Sequence, residues 1–428
     1  MTSDIKTPVN WKQYSINDIG NIITGSTPPT NTQKYYNGER LFISPSDIGN
    51  TKYIVKTEKH LSDDGLKISR VLPKYAIVVT CIGELGKTGI TTTFCTTNQQ
   101  INSVICNPNV MDSEFFYYCI SYNKNKLNIV AGLQVIPIVN KSLFSKIQFI
   151  APISIPEQQK IAEVLTTIDN VIEKTEQLIE KLKNIKKGLM QDLFTRGVTS
   201  DGKLRPASEV APELYKESEL GLIPKEWEVV RLDTIAKVID PHPSHRAPSE
   251  HDDGYPFAGI GDIEEDGTIL LDKCRKVSLD SIEKQRKTYS FSDGDIGFGR
   301  VATIGKVIRL RSRNTPFALS PTMAVIRSIT INYNYLIYYL QSNVLLEQID
   351  SLLTGSTRSS LGIMLLRQLK TLLPSENELN MISILLTNHN NVINIEEHKL
   401  FKLKLIKKGL MDDLLTGKVR VNSLIDVK

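Results

Sequence analysis

The sequence is poor in residues that many enzymes and metal proteins rely on, with six histidines, five cysteines and two tryptophans in 428 residues. The cysteines, Cys81, Cys95, Cys106, Cys119 and Cys274, are odd in number and include no Cys-x-x-Cys pair. This excludes a disulfide framework and a zinc knuckle and suits reduced thiols. No run of 18 apolar residues occurs, and the opening "MTSDIKTPVNW" has no basic stretch followed by an apolar one. Neither a membrane-spanning helix nor a secretion signal is expected, and the compartment expected is the cytoplasm. Charge of one sign is also missing. Lys and Arg number 52 against 47 Asp and Glu, a net +5, which permits a nucleic-acid partner without requiring one. The remaining composition is ordinary and globular, 40% hydrophobic and 23% charged, in a chain long enough for two or three domains.

What is present is a repeat. "IKKGLM" occurs at Ile185 to Met190 and again at Ile406 to Met411, an offset of 221 residues. The match extends backwards through Ile161 with Ile382, Leu165 with Leu386 and Val171 with Val392, and forwards through Leu193 with Leu414 and Thr195 with Thr416. Both copies carry a stripe stepping by four and three. It runs Ile161, Leu165, Ile168, Ile172, Thr175, Ile179, Leu182, Lys186, Leu189, Leu193, and Ile382, Leu386, His389, Ile393, Glu396, Leu400, Leu403, Lys407, Leu410, Leu414. Such a stripe is the seam of a coiled coil. It predicts two helices of about 35 residues, roughly 50 Å each. Polar residues interrupt both seams at matching places, which fixes register at a cost in stability.

Upstream the copies match with drifting offset: Pro8 and Trp11 with Pro224 and Trp227, "LFISPSDI" with "PFAGIGDI", Gly86-Lys87 with Gly305-Lys306. The drift means loop insertions within one shared fold. Short β-branched and aromatic runs alternate there with Gly, Pro, Asn and Asp turns. The expected fold is therefore α+β. Two domains of mixed α/β structure, 1–155 and 224–374, are each followed by a long helix, 156–196 and 375–418. A polar linker, 197–223, joins the halves, and 419–428 forms a tail. If the helices pack about a pseudo-two-fold axis, they form an antiparallel coiled coil.

Several motifs look chemical. "GELGKTG" lacks the first glycine of a phosphate loop, since Cys81 stands there, and it reads as a turn between strands. "PFAGIG" resembles the glycine loop that holds S-adenosylmethionine in DNA methyltransferases, but its counterpart "LFISPS" has Pro45 where a glycine would stand. The chain also lacks a Pro-Cys nucleophile and a target-base motif. "DPHPSHRAPSEHDD" gathers Asp240, His242, His245 and His251 without a known metal-ligand spacing, and reads better as a polar loop around Arg246. "GRVATIGKVIRLRSRN" holds Arg300, Lys306, Arg309, Arg311 and Arg313 without an acid. It is either a nucleic-acid contact or a solvated strand edge. No catalytic constellation emerges, and the chain reads as noncatalytic, with no metal site.

Five segments resemble the specificity subunit of Type I restriction-modification systems over essentially the whole chain. They are "GSTPPTNTQKYYNGERLFISPSDIG", "APISIPEQQKIAEVLTTID", "KKGLMQDLFTRGV", "SELGLIPKEWEVVRL" and "KKGLMDDLLTGKV". The start of the second helix departs from the pattern, with Leu379 in place of Gln158. The resemblance implies two target-recognition domains, each reading half of a bipartite double-stranded DNA target, and central helices paired as an antiparallel coiled coil. It further implies that two modification (methyltransferase) subunits dock on the coil and that restriction (motor and nuclease) subunits join through them. The chain then has no cofactor of its own, and S-adenosylmethionine, ATP and Mg2+ belong to the partners. The competing readings are a stand-alone DNA methyltransferase and a coiled-coil scaffold that does not bind DNA.

Within that frame the DNA-binding candidates of the first domain are Thr27, Asn31, Lys34, Tyr35, Lys87, Asn98 and Gln99. Those of the second are His245, Arg246, Arg300, Lys306, Arg311, Ser356, Thr357 and Arg358. Asn and Gln suit adenine edges, Arg suits guanine, and Lys suits phosphates. In the repeated hexapeptide, Ile185 and Leu189 are expected to face the seam. Gly188 and Gly409, costly inside helices, point either to close approach of a partner or to a helix end. The expected docking sites are Lys187, Gly188, Met190 and Leu193, and Lys408, Gly409, Met411 and Leu414.

Overall fold

The computed structural model describes residues 7–49, 51–132, 136–242, 247–311, 316–353 and 360–425. They form two compact units, Met1–Gln177 with His398–Lys428, and Leu178–Glu397. Each long helix therefore contributes one segment to each unit.

In the first unit a five-stranded sheet has the order Gly20–Thr24, Ile101–Cys106, Ile77–Thr80, Thr88–Thr91, Tyr53–Ile54. Its central strands, "IVVT" and "TGIT", are buried on both faces, which suits their β-branched residues. A four-stranded sheet of Lys59–Leu61, Tyr36–Ile43, Cys95–Thr97 and Val71–Leu72 lies in the same unit. The second unit repeats the plan. Its main sheet runs Ala236–Ile239, Met323–Ser328, Asp295–Gly299, Val307–Arg309, and a smaller one joins Arg275–Val277, Tyr255–Ala258 and Ala318–Leu319. A short ladder leads into each long helix, Trp11–Ser15 with Gln148–Pro152 in one unit and Glu228–Arg231 with Lys370–Leu373 in the other. The class is α+β, as the sequence indicates.

The long helices, Ile155–Thr195 and Glu376–Leu415, have 41 and 40 residues. Every seam position of both stripes is buried or half-buried. The interruptions are paired. Thr175 donates to the Val171 carbonyl at 2.8 Å, Lys186 to the Asn390 amide oxygen at 2.8 Å, and the Lys407 ammonium lies 2.6 Å from the Asp169 carboxylate. Lys404 with Glu176 in the first unit and Lys183 with Glu397 in the second show that the segments within each unit run antiparallel. Ile185 does not face the seam; it is 46% exposed, and its twin Ile406 is 52% exposed. Lys186 and Lys407 hold the seam positions instead, burying their stems while their ammonium groups find partners.

Each helix starts on a buried glutamate. Glu378 accepts from both terminal nitrogens of Arg205, from Trp227 Nε1 at 3.0 Å and from the Val198 amide at 2.9 Å. Glu157 accepts from Arg420 Nε at 2.6 Å and Nη2 at 2.8 Å, with the guanidinium 5.8 Å from the Trp11 ring. Each arginine follows the end of the opposite helix in sequence, beyond a glycine in the left-handed region, Gly197 or Gly417. A Cβ at Gly197 would strike Glu378, Arg205 and Trp227, and one at Gly417 would strike Pro8 and Trp11. The helix ends therefore lie at these glycines, not at Gly188 or Gly409. Gln158 ties the first helix to the Val110 and Pro152 carbonyls and the Asp112 amide, whereas Leu379 joins the apolar core of the second unit.

Two boundary expectations change. The segment 197–223 is not a free linker: Val198, Arg205, Ala211, Tyr215 and Ile223 are buried, and Tyr215–Ser218 pairs with Gly221–Pro224. Nor is 419–428 wholly a loose tail, since Val421 is buried in the first unit's core. Replacing Arg205 by alanine strands a buried carboxylate, and urea unfolding is expected to show a loss of about 3–5 kcal/mol. Arg420→Ala is expected to cost less, because its side chain is 26% exposed against 9% for Arg205.

Candidate nucleic-acid interface

The strand registers bring separated loops to one end of each main sheet. In the first unit Asn102 pairs with Thr24, Ile101 with Thr80, and Val79 with Thr88. The loops after Thr24, between Thr80 and Thr88, and before Ile101 therefore leave the sheet together. Backbone bonds from Ser26 to Thr97 and from Cys81 to Gln100 tie them. Thr27 and Gln99 share a hydrogen bond, and Asn98 donates to Gln100 at 3.0 Å. Thr27, Asn31, Lys34 and Gln99 are exposed, and the Lys34 ammonium sits 5.1 Å from the half-buried Tyr35 ring. Lys87 belongs to the same end through the hairpin turn, paired with Glu84 at 2.8 Å. Amides, hydroxyls and lysines of these loops can donate to phosphates and reach base edges.

The second unit repeats this. Ile239 pairs with Val325, Gly299 with Met323, and Phe298 with Val307, so the loops after Ile239, between Gly299 and Val307, and before Met323 share one end. Arg300 is there but only 8% exposed; its Nε donates to the Pro321 carbonyl at 3.0 Å and its Nη2 lies 3.7 Å from Asp240. It braces the loops rather than standing out from them, correcting the expectation of a groove contact. Lys306 is half-buried, donating to the Ile263 carbonyl at 3.2 Å. Arg311 is exposed but lies elsewhere. The strand Val307–Arg309 runs antiparallel to Asp295–Gly299 and carries it to the opposite end of the sheet. The run of cations is thus divided by the strand it flanks. His245, Arg246, Arg313, Ser356, Thr357 and Arg358 lie outside the described residues.

The catalytic look-alikes resolve into turns. "LFISPSD" and "PFAGIGD" form the same turn, closed by Asp47 on the Ser44 amide and by Asp262 on the Gly259 amide, each at 2.8 Å. "GELGKTG" is a hairpin turn with Gly83 and Gly86 in the left-handed region. Among the described residues no group of three or more His, Cys, Asp or Glu is placed to hold a metal ion. His242 packs edge-on against Phe257. Burial pushes the thiols of Cys81 and Cys274 up to about 11 and those of Cys95 and Cys106 up to about 12, far from thiolate chemistry at neutral pH.

The expected docking residues separate into two sets. Leu193 and Met190 are in the second unit's core and Leu414 in the first unit's, with the half-buried Met411 packed beside it. These apolar side chains hold their own units together and are not available as first drawn. Lys187, Gly188, Lys408 and Gly409 are exposed, and a Cβ at either glycine would meet nothing within 4 Å. Close approach within the chain does not explain these glycines. Val171 and Ile406 on the helical segments of the first unit, and their counterparts Val392 and Ile185 in the second, are exposed as well.

The type I restriction modification DNA specificity domain family matches residues 8–184 and 224–405. The chain is 27% identical to the type I restriction enzyme MjaIX specificity subunit of Methanocaldococcus jannaschii, over 98% of this chain and 96% of that protein. It is 31% identical to the HindI specificity subunit of Haemophilus influenzae over 39% of this chain and 38% of that protein. Its fold is similar to the type I restriction-modification S subunit from M. genitalium, with a TM-score of 0.56 at 14% identity, covering 97% and 98% of the two chains.

Placement divides the expected effects of substitution. Lys306→Ala is expected to weaken binding to all duplexes alike and lower the slope of log affinity against log salt by about 1. Arg311→Ala is expected to leave both unchanged, and Arg300→Ala to lower the unfolding midpoint. Fluorescence anisotropy over a salt series, with thermal melts, checks all three.

Proposed function

Because the chain belongs to the type I restriction modification DNA specificity family, we propose that its two units read the two halves of a bipartite DNA target. The chain is a noncatalytic, sequence-specific DNA-recognition component. The observation supporting one reader per unit is the repeated topology that sends three loops from one end of each main sheet, with different side chains on each set. A shared scaffold carrying unlike loops suits two different half-sites. The first loops offer Thr27, Asn31, Lys34, Tyr35, Lys87, Asn98 and Gln99, and the second offer Lys306; His245, Arg246, Ser356, Thr357 and Arg358 are candidates by sequence alone.

The retained helices suit a partner met twice. Two modification subunits dock on the helical segments, one beside Val171, Ile406, Lys408 and Gly409 and one beside Val392, Ile185, Lys187 and Gly188. Restriction subunits join through them, and S-adenosylmethionine, ATP and Mg2+ are supplied there. Among the described residues no helix is long and apolar enough to cross a membrane, and action on DNA in the cytoplasm fits.

Exchanging residues 1–150 for those of another family member is expected to change one half of the methylated sequence, leaving the other half and the spacer intact. Sequencing DNA modified by the assembled complex reads this directly; change in both halves rules out independent readers. Tryptophan at both Gly188 and Gly409 is expected to leave a folded chain that binds no modification subunit, and either single change one instead of two. Native mass spectrometry counts them.

A further inference from the structure

The second unit contains a cavity of about 320 Å3 where Lys183, Lys186 and Lys187 of the first long helix face Lys306, Glu265 and Asn343. Four lysines and one glutamate thus line it. Lys183 is held by Glu397 at 2.6 Å, and Arg309, bonded to Asn334 at 3.2 Å, adds a further cation nearby.

The internal repeat supplies a control. In the first unit Lys407 meets Asp169 at 2.6 Å, and the Tyr118 hydroxyl donates to the same carboxylate at 2.7 Å. Lys52 also pairs there with Glu114. That network neutralises itself. In the second unit Lys186 occupies the place of Lys407, but Asn390 stands for Asp169 and Asn334 for Glu114. Lys186 donates to a neutral amide at 2.8 Å, with its ammonium 5.3 Å from the Tyr338 ring. Tyr338, the counterpart of Tyr118, keeps a buried hydroxyl with no hydrogen-bond partner. Burial pulls the Lys186 ammonium below the usual lysine range, as expected for a cation whose partner carries no charge. At offset 215 Gly267 stands for Lys52, so the Lys52–Glu114 pair is lost as a pair, and the exchange of Asp169 for Asn390 leaves Lys186 without a carboxylate partner beside the cavity.

We propose that this cavity binds a phosphate-type oxyanion, held by Lys186, Lys187 and Lys306 with the Asn343 amide beside them. Two sources share that chemistry, a DNA backbone phosphate and a free phosphate group. Only the first rests on the DNA-reading function. The cavity would then seat one phosphate next to the turn Gly299–Lys306 and fix the register of the second reader on its half-site.

The test uses the full chain and the substitution Asn390→Asp, which restores the carboxylate that Asp169 supplies in the first unit. The double variant Lys187→Gln with Lys306→Gln serves if that change impairs folding. Inorganic phosphate is titrated at constant ionic strength, followed by 31P NMR and thermal shift, and duplex DNA by anisotropy over a salt series. Wild type is expected to bind phosphate saturably and either variant about tenfold more weakly, since each lowers the positive charge beside the anion. A parallel fall in duplex affinity in Asn390→Asp, which leaves Lys306 in place, with a salt slope lower by about 1, assigns the site to the DNA backbone. Loss of phosphate binding with duplex binding unchanged assigns it to a free anion. Absence of saturable phosphate binding by wild type, or equal binding by the variants, overturns the proposal. Failure of the chain to bind duplex while phosphate still binds counts against the DNA-reading function alone.

Discussion

A carboxylate buried at the first turn of each long helix is the constraint on which the rest of each unit depends. Glu157 and Glu378 are removed from water, so each needs a cation of matching geometry, and the forked guanidinium of an arginine supplies it. The carboxylate also lies at the positive end of the helix dipole, which favours its charge. The arginine arrives on the segment following the other helix. One ion pair therefore sets where one helix begins, where its neighbour ends and how the tryptophan-bearing strand enters. Left-handed glycines make room for this crossing, and their positions tolerate no side chain.

The features legible in the sequence were those with a period. A stripe of fours and threes identified both helices, their seam and even its interruptions, because burial of an apolar stripe is decided locally along a helix. The alternation of short apolar runs with turns likewise gave the class of the domains. Features that depend on three dimensions were not legible. Arg205 and Arg420 fall beyond a gap in the repeat and show no pattern linking them to Glu378 and Glu157. Arg300 and Arg311 look alike in a basic run, yet one is enclosed by loops and the other is carried by a three-residue strand to the far end of a sheet. Leu193 and Leu414 read both as seam positions and as docking residues, and burial in their own units leaves them the first role alone.

The two copies also differ where charge is balanced. The apolar seam and the helix starts are retained, but Asp169 and Glu114 have become Asn390 and Asn334. A buried network cannot change sign without acquiring a new partner or losing stability. The second copy kept its lysine and its tyrosine while losing the carboxylate between them. Divergence has reached beyond the loops into the polar joints behind them, so the two readers differ in their supports as well as in their edges.

The distribution of the first unit over the chain has a consequence for its synthesis. Residues 398–425 leave the ribosome after everything in 178–397, so the second unit can finish its core while the first still lacks Leu414, Leu415 and Val421. Until then Glu157 has no arginine, and the apolar surface awaiting those residues is open to solvent. Domains generally fold in order of emergence, but here the part made first is completed last. A nascent chain interrupted between Glu397 and Arg420 carries a finished second half and an unfinished first, a state suited to recognition by chaperones or proteases rather than to assembly. Quality control over the whole chain length is thereby built into the path of the polypeptide.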